Sequence, residues 1–268
     1  MSTTKNGFVS LAGAGPGDAE LITVKLQKRL AAADVIITDR LVNPDIISSN
    51  AHPSALLIQA GKQGYNELSY SQEQVTSLIL QYAREGKQVL RLKGGDVAFF
   101  SNVLDELQAL VANDIPFEII PGITAASGAS AYTGIPLTAR GYAQGVQFIA
   151  FNPQQYFTTG QWKQIAQSRD TLVFYMAAKN IVALTEMMLR YSKHPKCPMA
   201  VIEQASTMHQ KVQISSLQDA AQDFREISFS SPSLVIIGDV VTLQEQFNWF
   251  HAGEAGTVFR PLAAGSMV

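Results

Sequence analysis

"VLRLKGGDVAFFSNVLDEL" spans residues 89–107 and contains, in order, the patterns of a strand, a glycine turn and a helix. Gly94, Gly95 and Asp96 are followed directly by an apolar run at 97–100, where a solvated loop would be expected. The run either packs in a core or lines a pocket. A strand that leads through glycines into a helix is the repeating unit of α/β folds. This stretch therefore sets the fold class that the rest of the chain has to match.

The helix at the end of this stretch is expected to begin at Ser101 or Asn102, because either side chain suits an N-cap position. Its spacing places Leu104 and Leu107 on the face that would be buried.

Outward from this stretch, β-branched runs alternate with helical patterns in both directions. The clearest helix is "SQEQVTSLILQYAREG", in which Ser71 and Gln74 form a capping-box pattern and Gly86 stands at the C′ position. The alternation starts again after residue 143, which predicts a second domain with the same α/β architecture and, like the first, a largely parallel sheet. The predicted divisions are an N-terminal α/β domain at 1–143, a C-terminal α/β domain at 144–252 and an irregular tail at 253–268.

The composition describes a globular chain and excludes several classes of partner. The 268 residues are 47% hydrophobic and 16% charged, with a formal net charge of −2, so there is no general attraction to nucleic acid or to an anionic membrane. Cys197 is the single cysteine, and the four histidines lack metal-ligand spacing, so no metal site is expected. The amino terminus lacks a signal-peptide pattern and no stretch is long enough to span a membrane, which predicts a cytoplasmic, soluble protein.

The first glycine loop, "LAGAGPGD", follows the first strand and resembles a nucleotide fingerprint without matching it. Gly13, Gly15 and Gly17 have the spacing G-x-G-x-G, and Pro16 removes an N–H that a phosphate would need. Asp39 ends the second strand, where a dinucleotide fold places its ribose-binding acid, so a nicotinamide dehydrogenase stays open as an alternative.

Four further segments end strands or precede the second half: "GKQGY", "RLKGGD", "IPGITAASG" and "GIPLTARGY". Because the carboxyl ends of parallel strands meet at one edge of a sheet, these segments should converge there with the first glycine loop. They bring Lys62, Asp96, Thr124 and Arg140 to that edge. The sequence therefore predicts a cleft for a small molecule.

Taken together, "GAGPGD", "ADVIITDRLV", "GK" at 61–62, "VLRLKGGD", "IPFEIIPGITAASGASAYTGIPLTARGYAQ", "TLVFYM" and "NWF" resemble the tetrapyrrole methylase family from about residue 8 to residue 250. Within the family, the similarity is to members that methylate uroporphyrinogen III at C2 and C7 to give precorrin-2, in siroheme and cobalamin biosynthesis. The resemblance implies two α/β domains with S-adenosylmethionine in the cleft between them, S-adenosylhomocysteine as its product, a tetrapyrrole substrate and a homodimer.

The resemblance also implies roles for individual residues. Asp39 and Lys62 match the family's proton-transfer positions, and basic side chains should meet the eight carboxylates of the substrate, foremost Arg40, Arg91 and Arg140, with Lys93 and Lys179 as further candidates. For Arg91 and Lys93, a solvated strand face stays open as an alternative. The positions that match the family's cofactor contacts are Pro16, Gly94, Gly95, Asp96, Phe99, Thr124, Ala125, Met176 and Ala205.

The chain departs from the family pattern on the side expected to meet substrate. The family has Pro-Phe-Val-Phe-Gly-Arg-Gly-Gly-Glu-Glu after its Gly-Gly-Asp, whereas this chain has residues 97–106 as "VAFFSNVLDE". Basic or ionisable family positions are also replaced at Gln63, Asn66, Ala139 and in "FNP" at 151–153. The alternatives are therefore a methyltransferase for another tetrapyrrole or corrinoid intermediate, or a non-catalytic protein that binds the cofactor or a tetrapyrrole.

Overall fold

The computed structural model describes residues 6–60, 70–152, 157–253 and 255–259. These residues form two compact units, one up to Thr124 together with those from Thr257 onward, and one at Ala125–Gly256. The division falls at Thr124, whereas the sequence analysis placed it after residue 143. The helix that follows Thr124 belongs with the second unit because its Ala126 and Ala129 pack in an apolar cluster with residues of the second sheet.

The first unit alternates strands and helices as the sequence predicts. Its elements are β1 (Phe8–Gly13), α1 (Val24–Ala32), β2 (Val35–Thr38), α2 (Pro44–Asn50), β3 (Leu56–Gln59), α3 (Gln72–Arg84), β4 (Gln88–Lys93), α4 (Val103–Ala112) and β5 (Phe117–Ile120).

The five strands form a sheet in the order β3-β2-β4-β1-β5, with every pairing parallel. On one face, Leu90 and Leu92 of β4 pack with Leu26 and Leu30 of α1. On the other face, Val89 packs in a second cluster with residues of α3 and α4. The helices therefore cover both faces, and the carboxyl ends of all five strands meet at one edge.

Local sequence signals account for the ends of several helices. The predicted capping box of α3 is present, with Gln74 N donating to Ser71 Oγ and Ser71 N donating to Gln74 Oε1. Gly86 follows α3 with φ 80°, the left-handed conformation that a C′ glycine adopts without strain.

No helix within the described ranges is both long enough and apolar enough to cross a lipid bilayer.

The second unit has its own sheet, of mixed direction. Its elements are α5 (Ala125–Thr133), β6 (Val146–Ala150), α6 (Thr159–Ala166), β7 (Thr171–Tyr175), α7 (Ile181–Tyr191), β8 (Pro198–Glu203), β9 (Lys211–Ser216), α8 (Ala220–Asp223), β10 (Ser233–Ile237) and α9 (Gln244–Phe247).

The strand order in the second unit is β6-β7-β10-β8-β9, and only the β6–β7 pairing is parallel among the described strands. The expectation of largely parallel sheets is therefore wrong for this unit. The seven residues at 204–210 that join β8 to β9 are too few for a parallel crossover, which needs a dozen or more. Strand β10 then lies antiparallel to both β7 and β8, so β7 and β8 end at the same edge.

Candidate active site

Three glycine-rich loops meet at the carboxyl edge of the first sheet, as the sequence predicts. Gly15 and Gly95 form a reciprocal pair, with Gly15 N donating to Gly95 O at 3.0 Å and Gly95 N donating to Gly15 O at 2.8 Å. A Cβ atom on Gly13 would lie 2.5 Å from Gly95 O, and one on Gly122 would lie closer still. Backbone segments can approach this closely only without side chains, so these glycines are required by the packing of the loops.

Asp96 joins two of these loops. Its Oδ1 accepts from Ala98 N at 2.6 Å and its Oδ2 accepts from Gly122 N at 2.8 Å, so the carboxylate links the loop after β4 to the loop after β5. Asp96 is buried, Pro16 is buried in the first loop, and Gly94 and Gly95 are partly exposed. The structure therefore gives Asp96 a structural role at this edge, while its contact with a cofactor stays a prediction.

Asp39 lies at the same edge, directly after β2. Asp39 N donates to Leu92 O at 3.1 Å and extends the pairing with β4. Its carboxylate accepts from Arg91 Nη2 at 2.5 Å, and the side chain keeps 32% of its surface exposed. Asp39 is thus held by a cation while it still faces solvent.

Arg91 and Lys93 are buried at 2% exposure each, so the alternative of a solvated strand face is wrong for them. Glu106 of α4 is their shared partner, with Arg91 Nε at 3.0 Å and Lys93 Nζ at 2.9 Å. Burial opposes the charge on Arg91, but the carboxylates of Asp39 and Glu106 outweigh it and raise the pKa of the guanidinium. Burial, together with the charge of Arg91, lowers the pKa of the Lys93 ammonium although Glu106 acts against the shift.

Glu106 is a residue that the sequence analysis missed, and the prediction for its helix is wrong in part. Leu104 is 62% exposed, and Glu106 takes a buried position instead. Asn102 stands at the N-cap with φ 51° and makes no side-chain cap hydrogen bond. The signal was available: Val103, Glu106 and Leu110 follow helical spacing, and a charged residue in an apolar stripe needs a buried partner.

A cavity of about 480 Å³ opens beside Asp39 within the first unit, in the size range of small-molecule sites. The described residues that line it are Asp39, Arg40, Leu41, Ala60, Tyr70, Gln72, Val75, Arg91, Lys93, Gly94, Phe99, Phe100, Ser101 and Asn102. The apolar run after the glycine turn therefore lines a pocket with Phe99 and Phe100, whereas Val97 is buried. Of the predicted site residues, the cavity brings together Asp39, Arg40, Arg91, Lys93, Gly94 and Phe99.

In the second unit, two predicted cofactor positions lie at one edge of the sheet. Met176 follows β7 and Ala205 follows β8, and these strands end on either side of β10. Met176 has φ 60°, and Ala205 stands between Gln204 at φ 47° and Ser206 at φ 63°. Left-handed backbone at residues other than glycine is strained, and such strain is concentrated at functional sites.

The remaining predicted residues are spread along both units. Thr124 and Ala125 are half-buried around the start of α5, where Ala126 N donates to the hydroxyl of Tyr175 at 3.2 Å. Arg140 is exposed in a tight turn closed by the pairing of Ala139 with Ala143. Lys62 lies outside the described residues, as do the departures at Gln63 and Asn66.

Comparison with known proteins identifies the family that shares this sequence and architecture. The family model described as Tetrapyrrole (Corrin/Porphyrin) Methylases matches residues 9–221. A siroheme synthase of Acinetobacter baylyi is 40% identical over 247 residues, which are 92% of this chain and 54% of that protein. The chain thus spans about half the length of the curated relatives it matches.

Solved structures agree with the family model. A uroporphyrin III C-methyl transferase from Thermus thermophilus has a TM-score of 0.74 at 30% identity, covering 88% of this chain and 94% of that one. A structure of the Thermus thermophilus enzyme complexed with S-adenyl homocysteine has a TM-score of 0.73 at 30% identity, covering 88% and 93%. A cobalt precorrin-4 methyltransferase, with a TM-score of 0.78 at 23% identity over 87% of this chain and 95% of that one, supports the fold. On its sequence and its architecture, the chain belongs to the tetrapyrrole methylase family.

Proposed function

We propose that this protein transfers methyl groups from S-adenosylmethionine to C2 and C7 of uroporphyrinogen III and so produces precorrin-2. The observation that carries the proposal is the half-exposed carboxylate of Asp39 on the wall of the cavity, beside Arg40 and Arg91. The proposal is supported by the 30% identity to the Thermus thermophilus uroporphyrin III C-methyl transferase over most of both chains. Membership of the methylase family leaves no support for the nicotinamide dehydrogenase considered from the glycine loop.

The residues present suit S-adenosylmethionine. Pro16 leaves the first loop without one phosphate-binding donor, and this ligand has no phosphate. Gln204 Oε1, next to Ala205, is buried and has no hydrogen-bond partner among the described residues, so it can accept from a ligand amino or hydroxyl group. We therefore keep the predicted contacts at Pro16, Gly94–Asp96, Phe99, Thr124, Ala125, Met176 and Ala205 as part of the proposal.

The bound cofactor would supply an electrophilic methyl group on a sulfonium. The pyrroles of uroporphyrinogen are electron-rich, so a ring carbon can form the new C–C bond directly and the S–CH₃ bond breaks. The protein then has to hold the carbon in line and to remove one proton from the ring after transfer. Asp39 would accept that proton; the proposal is supported by its carboxylate, which borders the cavity, and by Arg91, which holds it. Lys62, as the second proton-transfer residue, stays a proposal from the family pattern.

Substrate carboxylates would be met by Arg40 in the cavity and by Arg140 in the second unit. Arg91 was predicted as a third contact, but its Nε, Nη1 and Nη2 all donate to protein acceptors. Its contacts favour a role in holding Asp39 over a role in binding the substrate.

We further propose that the protein is a homodimer, which light scattering on the purified protein would test.

The test is incubation of the purified protein with uroporphyrinogen III and S-adenosylmethionine. We expect precorrin-2, detected after oxidation by its sirohydrochlorin-type spectrum, with two equivalents of S-adenosylhomocysteine per macrocycle. Binding of S-adenosylhomocysteine, measured by calorimetry, is the control that the protein is folded. Binding without turnover would refute the proposed reaction.

A second candidate is methylation of a different tetrapyrrole intermediate. It is favoured by the cavity wall, where Phe100, Ser101 and Asn102 stand in a loop that departs from the family's Gly-Arg-Gly pattern. Turnover of precorrin-2 or a later corrinoid, with none of uroporphyrinogen III, would favour this candidate. If neither substrate class turns over and the cofactor product still binds, a non-catalytic binding role would fit best.

A further inference from the structure

The face of the first sheet that lies under α3 and α4 becomes charged at its carboxyl end. Val89 packs in the apolar cluster of that face, whereas Arg91 and Lys93, which follow on the same side of β4, bring two cations into the interior. A buried cation without a partner is strongly unfavourable. These two positions therefore require a buried counter-charge.

Glu106 supplies that counter-charge. Its carboxylate accepts from Arg91 Nε at 3.0 Å, from Lys93 Nζ at 2.9 Å on both oxygens, and from Gln72 Nε2 at 3.2 Å. The side chain has no exposed surface, and Glu106 is not among the described residues that line the cavity. Glu106 thus lies behind the cavity wall and binds three side chains that line it, Gln72, Arg91 and Lys93.

Arg91 connects Glu106 to Asp39. Its Nε donates to Glu106 and its Nη2 donates to Asp39, while Nη1 donates to the carbonyls of Ile37 and Leu92 at 3.3 Å each. A guanidinium is planar, so fixing Nε and Nη1 also fixes the direction in which Nη2 points. The position of the Asp39 carboxylate therefore depends on Glu106 through the hydrogen bond between Glu106 and Arg91.

We propose that Glu106 is a positioning residue for the carboxylate of Asp39 and acts through Arg91. The inference rests on the proposed function for the part that Asp39 takes in turnover. Two cations, Arg91 and Lys93, face two carboxylates, Asp39 and Glu106, so the charges of this cluster balance. Among the described residues that line the cavity, the other ionisable groups are Arg40, next to Asp39 in the chain, and Tyr70.

Removal of the Glu106 charge should change the position of the Asp39 carboxylate. In Glu106→Gln, Arg91 would lose the charged partner of its Nε, so its Nη2 would be held less firmly toward Asp39. We expect kcat to fall about 10- to 100-fold with KM changed less than about threefold, because orientation at the reacting atom is lost.

The matched control is Glu118→Gln, the same change at an ion-paired glutamate of the first unit that does not line the cavity. It should keep the kcat and the KM of the unaltered protein. Glu106→Asp separates charge from position and provides a milder change if Glu106→Gln does not fold. This variant should lose about tenfold in kcat, because its carboxylate is withdrawn by one methylene.

A measurement without substrate separates this inference from the proposed function. The carboxyl carbon of Asp39, labelled with ¹³C and assigned with Asp39→Asn, should change its chemical shift in Glu106→Gln and keep it in Glu118→Gln, because only the first change releases Arg91. Absence of precorrin-2 formation by the unaltered protein would refute the proposed function and leave this chemical shift as the test. A folded Glu106→Gln protein with an unchanged Asp39 chemical shift, or with unaltered kcat and a raised KM alone, would overturn the inference. For a Glu106→Gln protein that does not fold, a Glu106→Asp protein as active as the unaltered one would do the same.

Discussion

Glu106 and Glu118 each bind one arginine and one lysine within the first unit, yet their surroundings differ. Glu106 has no exposed surface, and its partners Arg91 and Lys93 are 3% exposed in their side chains. Glu118 is 16% exposed, and its partners Lys25 and Arg29 are 53% and 43% exposed. The first cluster lies behind a cavity wall, and the second lies on a surface where water screens each charge.

The difference shows what burial adds to the same chemistry. On the surface, the ion pairs of Glu118 contribute little, because water can replace either partner. In the interior, no water replaces Glu106, so each cation depends on it and the geometry of the cluster becomes fixed. A buried set of balanced charges can therefore hold the partly exposed carboxylate of Asp39 in a fixed position at the cavity.

The largest effect is expected at Asp39 itself. Asp39→Asn keeps an acceptor for Arg91 but removes the proton-accepting carboxylate, so turnover of uroporphyrinogen III should fall about 10²- to 10⁴-fold. The affinity for S-adenosylhomocysteine, measured by calorimetry, should be unaltered. A turnover rate near that of the unaltered protein would remove Asp39 from the mechanism.

The next effect is on stability and compares the two clusters directly. Glu106→Gln leaves Arg91 and Lys93 buried, with Asp39 as the one carboxylate bound to the pair among the described residues, and we expect a loss of about 3 kcal/mol in the free energy of unfolding. Glu118→Gln should cost about 1 kcal/mol, since its partners are largely exposed. Urea unfolding of both variants at pH 7 measures the difference. Equal losses would show that burial does not separate the clusters.

The smallest effect is the pH dependence at Glu118. Its hydrogen bond with Arg29, followed by those with Lys25 and Ser10, lowers the pKa of the carboxyl group from 4.5 to about 2. A carboxyl group with a lowered pKa in the folded state stabilises the fold above its unfolded pKa and loses that contribution as the pH falls. The cost of Glu118→Gln should therefore be full at pH 6 and disappear between about pH 4.5 and pH 2. A cost that stays constant down to pH 2 would contradict this assignment.

Much of the fold follows from local sequence patterns. The capping box at Ser71 and Gln74 and the C′ glycine at Gly86 were predicted because each depends on residues near one another in the chain. The glycines of the sheet edge were predicted because each follows a strand. Strand direction in the second sheet was not predictable in this way. It depends on which distant strand pairs with which, and β10 pairs with β7 and β8 in the antiparallel sense.

The residues of the site also divide into those that local sequence patterns predict and those that depend on distant partners. Asp39, Gly94 and Phe99 were predicted from their places after strands and from family motifs, and the structure brings them to one cavity. Glu106 was missed because the side of α4 that carries Leu104 was predicted to be buried, and local spacing does not show which residues lie beneath the helix. Arg91 and Lys93 lie beneath α4, and these two cations stabilise the buried carboxylate of Glu106. The buried face of the helix therefore carries Glu106, whereas Leu104 was predicted there.

The sequence by itself determined the alternating strands and helices, the glycines where backbones approach and the family to which the chain belongs, because these depend on short-range patterns and ordered motifs. Only the tertiary structure decided that Arg91 and Lys93 are buried, that Glu106 binds both and that Arg91 holds Asp39 at a cavity. The physical reason is that the energy of a charge depends on its burial and on its partners, and both are set by residues that are far apart in the chain.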